Sequence, residues 1–323
     1  MIIFEKALIG FVSTGVVSLA LAAVLYPVDS TTRSPRAVFA PSGSGDALRP
    51  AANRTVVGGP TVAKVTSNFH RYNYDMATIR AGKSPVPPLF LTALPSDIVR
   101  IRQPEMRKSF FFKMVLPLVL RVNDSIALDR RRLLPLLAAI RDSKNLRAED
   151  RLWLAAKLDQ YGVRRAGLAE LARRIDTVPP SLAMAQAAEE SGWGTSRFVR
   201  EGNALFGQWT FESAGGLVPR DRDVGKVHKV KAFQNLTQAV GAYVANLNTH
   251  RAYRGFRAER ARMRAAGREL DGEKLARTLV SYSERGRAYV DSIRRIIRIN
   301  RLRQLDGARL GAAGLARGKD SAI

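Results

Sequence analysis

The sequence predicts a mainly α-helical fold with one small β excursion, set between two segments that carry no periodicity. Three observations carry that expectation. Long apolar stripes recur at helical spacing between about residue 61 and residue 303. One internal stretch, residues 211 to 233, instead combines Pro219 and paired glycines with a short alternation of apolar and polar residues. Residues 29 to 60 and 304 to 323 are rich in small residues and show neither period.

The first elements are N-terminal. Residues 7 to 26, "ALIGFVSTGVVSLALAAVLY", contain no charge and are long enough to cross a bilayer. Leu25 and Tyr26 stand where a signal-peptide cleavage site needs small residues, so residues 1 to 28 are expected to be a retained membrane anchor in preference to a cleaved signal. Lys6 flanks one end and Arg33 and Arg36 the other, a count that leans against export of the C-terminal body. Residues 29 to 60 read as a flexible tether.

A helical first part of the body is expected over 61 to 175. "MRKSFFFKMVLPLVLRVNDSIALDRRRLLPLLAAIRD" carries apolar stripes interrupted by Pro117 and Pro135, which predicts bent or paired helices. "RAEDRLWLAAKLDQYGV" places Leu152, Ala155, Ala156 and Leu158 at helical spacing and stops at Gly162. "RAGLAELARRID" is a further short helix. A second part is expected over 176 to 303. It begins with Pro179 and Pro180 leading into an alanine-rich helix, includes the β-hairpin with a turn near Asp223–Gly225, and returns to helix in "LTQAVGAYVANLN" and "EKLARTLVSYSERGRAYVDSIRRIIRINRL". From Gln304 onward a disordered tail is expected.

Composition removes several chemistries. The chain has no cysteine, so disulfides, zinc–thiolate sites and cysteine nucleophiles are excluded. His70, His228 and His250 match no metal-ligand spacing, and neither a metal nor a cofactor is expected. Lys and Arg number 53 against 28 Asp and Glu, a net charge of +25, which calls for an anionic partner. Because the arginines are dispersed along helices and an apolar segment precedes them, nucleic acid is not the expected one.

The chemistry concentrates in residues 185 to 209, "AQAAEESGWGTSRFVREGNALFGQW". Ala183, Met184, Ala185, Ala187 and Ala188 cover every side of a helix that must therefore be buried. Gly192 and Gly194 end it. A carboxylate at that end is disfavoured as an anion twice, by apolar walls and by the negative end of the helix dipole, so its pKa rises toward what a general acid needs. Glu189 and Glu190 point about 100° apart, and periodicity does not say which of them enters a cleft; ion pairing to nearby arginines is the competing role for either.

This stretch closely resembles the core motif of the peptidoglycan-cleaving glucosaminidases, family 73 of the glycoside hydrolases, and within it the bacterial Bax-like branch. The likeness extends through "VPPLFLTALPSDI", "FFFKMVLPLVLRVN", "VPPSLAMAQAAEESGWGTS" and "AYVANLNTHRAYRGFR". It implies a lysozyme-like fold, a helical lobe that supplies the acid and a small β-lobe that closes over the sugar. It also implies cleavage of β-1,4 bonds next to N-acetylglucosamine in peptidoglycan glycan strands. Taken with residues 1 to 28, this places the chain in the bacterial envelope, anchored in the inner membrane or secreted, with the enzyme domain expected in the periplasm.

Carried over by motif, the acid is Glu190, the glutamate before Ser-Gly-Trp-Gly. Trp193 is expected behind the motif or against the acid. Asn203, Phe206, Gly207 and Gln208 match the turn that lines the family's cleft, and Tyr289 matches a tyrosine near the catalytic glutamate. Tyr243, Tyr253 and Tyr282 are expected in the core. The family's second glutamate, on the first strand of the β-lobe, has no counterpart in "GLVPRDRDVGK". Asp221 and Asp223 are the candidates for a second catalytic carboxylate, with Glu212 further back. Assistance by the substrate's own 2-acetamido group is the alternative. A lytic transglycosylase or muramidase on the same substrate, or an inactive wall-binding protein, would share this sequence.

Overall fold

The computed structural model describes residues 59–163, 167–210, 216–218 and 229–312. Two short helices open the described chain: α1 (Val62–Arg71), capped by Thr61, and α2 (Met76–Arg80), capped by Asp75. A 3-10 turn at Ser96–Arg100 leads to α3 (Pro104–Arg141), 38 residues long. Both Pro117 and Pro135 lie inside α3, so the stretch is one helix and not a pair. Each proline forfeits one backbone hydrogen bond. Burial of Phe110 to Leu120 on all sides of the first half holds the helix together regardless.

Next come α4 (Ala148–Gln160), α5 (Gly167–Arg174), α6 (Pro180–Ser191) and α7 (Arg197–Gly202). Of the four apolar residues at helical spacing on α4, Leu158 packs against the core, while Leu152 is 73% exposed and Ala155 and Ala156 are exposed too. The packed face is Leu154 with Asp150, whose carboxylate meets Arg132 at 3.0 Å and Arg147 at 3.2 Å.

A three-stranded antiparallel sheet comes after α7, β1 (Trp209–Thr210), β2 (Gly216–Leu217) and β3 (Lys229–Lys231), with β3 in the middle. Trp209 pairs with Val230 and Gly216 with Lys231. The expected pairing of two strands is present, and β1 adds a third. The expected turn near Asp223–Gly225 lies outside the described residues. The body is completed by α8 (Leu236–Thr249), α9 (Arg254–Ala265), α10 (Gly272–Ala276) and α11 (Arg287–Ile299), and a 3-10 turn at Leu302–Leu305 closes it.

The architecture is organised around α6. It packs against α3, α10, α11 and the terminal 3-10 turn, and ten of its twelve residues are buried. Its N-terminus is fixed from the far end of the chain. Asp306 accepts from the Ser181 amide and from the Ser181 hydroxyl, both at 2.8 Å. Gly272 passes so close that a Cβ there would sit 2.1 Å from Ser181 Oγ.

This corrects the expectation of a disordered tail from Gln304. Leu305 is fully buried, Asp306 holds α6, and Leu310 bridges to Val86. A free helix N-terminus and a strip of apolar surface are what that segment satisfies. Residues 313–323 lie outside the described residues. Among the described residues no helix is long and apolar enough to cross a membrane, and the expected anchor at 7–26 lies outside them, as does the tether up to residue 58.

Candidate active site

The site begins where α6 ends. Gly192, Trp193 and Gly194 all take left-handed backbone, with φ of 56°, 59° and 81°. Glycine suits the first position, where a helix commonly terminates. At Gly194 it is required for a second reason, since a Cβ would lie 2.9 Å from Leu94 Cδ1 and 3.0 Å from Ile98 Cδ1. The turn closes with Trp193 N–H donating to the Ala188 carbonyl at 2.9 Å and Ser196 N–H to that of Ser191 at 2.9 Å. The Trp193 ring turns toward α3, edge-on to Phe111 and Phe112, with Lys108 over its face. Trp193 is therefore behind the motif.

Glu189 and Glu190 go to different partners. Glu189 accepts from Arg285 Nη1 at 2.6 Å, and Arg285 also donates to Ser292 at 2.9 Å. Glu190 faces a hydrogen-bonded chain of neutral groups. The Tyr289 hydroxyl donates to Glu190 Oε1 at 2.8 Å, Gln186 Nε2 donates to the Tyr289 oxygen at 2.9 Å, and the Tyr243 hydroxyl donates to Gln186 Oε1 at 2.7 Å. Burial dominates the carboxyl's titration and pushes its pKa up to about 7. The Tyr289 hydrogen bond opposes that rise, the neighbouring Glu189 charge adds to it, and Arg285 subtracts from it.

The turn after α7 brings the next residues beside the acid. Gly207, at φ 59°, places its backbone so that a Cβ would stand 3.7 Å from Glu190 Oε2. Phe206 is buried and stacks on Tyr243, centroids 3.9 Å apart. Asn203 is 1% exposed, with φ 52°, and its Nδ2 donates to the Phe233 carbonyl at 3.1 Å, which ties the sheet to α7. Gln208 is half-buried, and among the described residues its Oε1 has no hydrogen-bond partner. Tyr289 thus bonds Glu190 and Gly207 faces its other oxygen, Phe206 stacks on Tyr243, and Asn203 and Trp193 make their contacts with Phe233 and with α3. Asp221, Asp223 and Glu212 lie outside the described residues.

Two participants are absent from the sequence-derived set. Tyr282 stacks on Tyr289 with rings 10° from parallel and centroids 5.4 Å apart. It is half-buried, as are the two glutamates, and packs against the core while also backing the site's tyrosine. Gln186 is the other. Its signal is legible: a lone amide in an otherwise apolar run, one helical turn before Glu190. Among the described residues no group of three or more His, Asp or Glu side chains is arranged to hold a metal.

Comparison with known proteins adds two findings. Residues 166–302 match the glucosaminidase family, described as mannosyl-glycoprotein endo-beta-N-acetylglucosaminidase. The chain is also 35% identical over 193 residues to Protein bax of Escherichia coli (strain K12), a span of 57% of this chain and 66% of that protein, just under two thirds of its length. No solved structure matches the chain.

Proposed function

Residues 166–302 being a glucosaminidase-family domain, and so of glycosidase type, we propose that this chain hydrolyses β-1,4 bonds next to N-acetylglucosamine in peptidoglycan, with Glu190 as general acid. One observation carries the reading. Glu190 is a carboxyl whose surroundings hold its pKa near 7, so at neutral pH a large fraction of it keeps a proton to give. Glu189 instead forms an ion pair with Arg285 at 2.6 Å.

In this reading Glu190 protonates the glycosidic oxygen as the C1–O bond breaks, and the leaving sugar departs with that proton. The cationic C1 is captured by the 2-acetamido oxygen. Water then opens the resulting ring, giving its proton back to the Glu190 carboxylate. Such assistance suits a site where, among the described residues, Glu189 is the one other carboxylate whose charge reaches Glu190. Asp221 or Asp223 as a second catalytic carboxylate is the alternative assignment. With Glu190 as the acid, one further reading has a muramic 6-hydroxyl in place of water, which would make the enzyme a lytic transglycosylase. The segment 7–26 would hold the chain at the inner membrane with this domain in the periplasm, and the excess of basic residues would hold it to anionic envelope polymers.

The test is clearing of purified cell walls by the full chain. Glu190→Gln is expected to lose roughly 10²- to 10⁴-fold in rate with no drop in its thermal midpoint, and Glu189→Gln to lose little. Equal activity in wild type and Glu190→Gln overturns the assignment.

A further inference from the structure

Gln186 is the lone polar side chain of α6 between Ser181 and Glu189, and it is fully buried. Burying an amide in an alanine-lined helix is unfavourable unless both its ends are satisfied. Here both are, by two tyrosine hydroxyls. The direction of those bonds matters more than their number.

A phenol has one proton to donate. With Gln186 Nε2–H aimed at its oxygen, Tyr289 must turn its own proton to Glu190 Oε1. Oε1 is then an acceptor whether or not Glu190 is ionised, and a proton taken up by the carboxyl goes to Oε2. That is the oxygen on the Gly207 side. A reversed chain would also close: the amide turned end for end, Tyr289 donating to Gln186, and Glu190 donating inward from Oε1. It would bury the acidic proton in an internal hydrogen bond, away from any substrate.

Tyr243 decides between the two directions. It is fully buried, and Gln186 Oε1 accepts its proton. Turning the amide would present Nε2 to the Tyr243 oxygen and leave the Tyr243 O–H with no acceptor among the described residues, an unfavourable outcome for a buried hydroxyl.

We propose that Gln186 is a positioning residue for the acid: held by Tyr243, its amide makes Tyr289 a one-way donor and directs the Glu190 proton to Oε2. The inference rests on the reading of Glu190 as the general acid. It adds that two residues without contact to substrate set where its proton sits.

Gln186→Met and Tyr243→Phe, made in the full chain, test it with two independent readouts. The first is kcat and KM for wall fragments across pH. The second is the ionisation of Glu190, followed by the infrared carboxyl band as the difference between each protein and its own Glu190→Gln counterpart. With the amide removed or free to turn, Tyr289 can accept from the neutral acid, so the Glu190 midpoint should rise by roughly one pH unit. kcat should fall by about tenfold or more with KM nearly unchanged. Lower thermal stability with the midpoint and kcat unmoved in both variants overturns the proposal, because that is what packing alone produces. Should Gln186→Met fail to fold, Tyr243→Phe removes one oxygen atom and carries the same test. Absence of hydrolysis in the wild type would overturn the glycosidase reading, while a midpoint shift in the variants would still support the proton-directing role.

Discussion

Glu189 and Glu190 are separated by about 100° of rotation about one helix axis, and that rotation decides their chemistry. Glu189 meets a guanidinium, and Glu190 meets a phenol and apolar walls. Sequence periodicity predicts that one turns inward and does not distinguish them; the motif resemblance favours Glu190, and the geometry separates the pair independently. The raised pKa has a consequence for stability. Below the ordinary glutamate value of 4.5 Glu190 is protonated in both folded and unfolded chains. As pH rises toward about 7 the unfolded chain ionises while the folded one keeps its proton, so stability falls across that interval. Above it the full penalty stands, on the order of 3 kcal/mol at ~1.4 kcal/mol per pH unit. Glu190→Gln lacks this penalty. Denaturant unfolding should therefore show the variant gaining on wild type between pH 5 and pH 8, and a difference independent of pH would contradict the buried-acid assignment. Gln186 is legible in the sequence as a lone amide in an apolar run, but its role emerges only with Tyr243 and Tyr289, 57 and 103 residues away in sequence.

Elements with punctuation are legible in the sequence, and elements held by distant partners are not. Pro179 and Pro180 start α6, Gly192 ends it, and Gly162 comes just after α4, all as local chemistry predicts. On α4 the packed face combines Leu154 and Leu158 with Asp150, held by two arginines, and with Trp153 beneath Arg132 and Lys157, pairings that a count of apolar residues does not weigh. The tail differs for a related reason. "QLDGARL" looks like loop composition, yet Asp306 supplies the cap that α6 lacks locally, since Pro179 offers no side-chain hydrogen bond. Burial pushes the Asp306 carboxyl up to about 6, against the Ser181 bonds that pull it down. Asp306→Ala should cost about 1–2 kcal/mol, while Asp306→Asn, which keeps an acceptor, should cost distinctly less. Thermal or denaturant unfolding of the two checks this, and equal losses would mean that the cap contributes little to holding α6.

At the scale of the molecule, the net charge of +25 suggests a surface property, and part of it is interior. Arg257 and Arg260 are 2% and 0% exposed, and Asp176 draws Arg130, Arg260 and Arg264 together between α3, α9 and the lead-in to α6. The remaining excess still favours an anionic envelope. If residues 7–26 anchor the chain, full-length protein should stay with membranes through a high-salt wash, since a spanning helix is not screened as charge attraction is; release by salt alone would remove the anchor from the account. The central claim is the bond and the nucleophile. Peptidoglycan digested by the full chain, with Glu190→Gln alongside, should be read by mass spectrometry before and after borohydride reduction. Fragments ending in a reducible N-acetylglucosamine are expected, absent from the Glu190→Gln digest. Anhydro-muramic ends resistant to reduction, reducible muramic ends, or wall binding without any fragments would contradict hydrolysis next to N-acetylglucosamine.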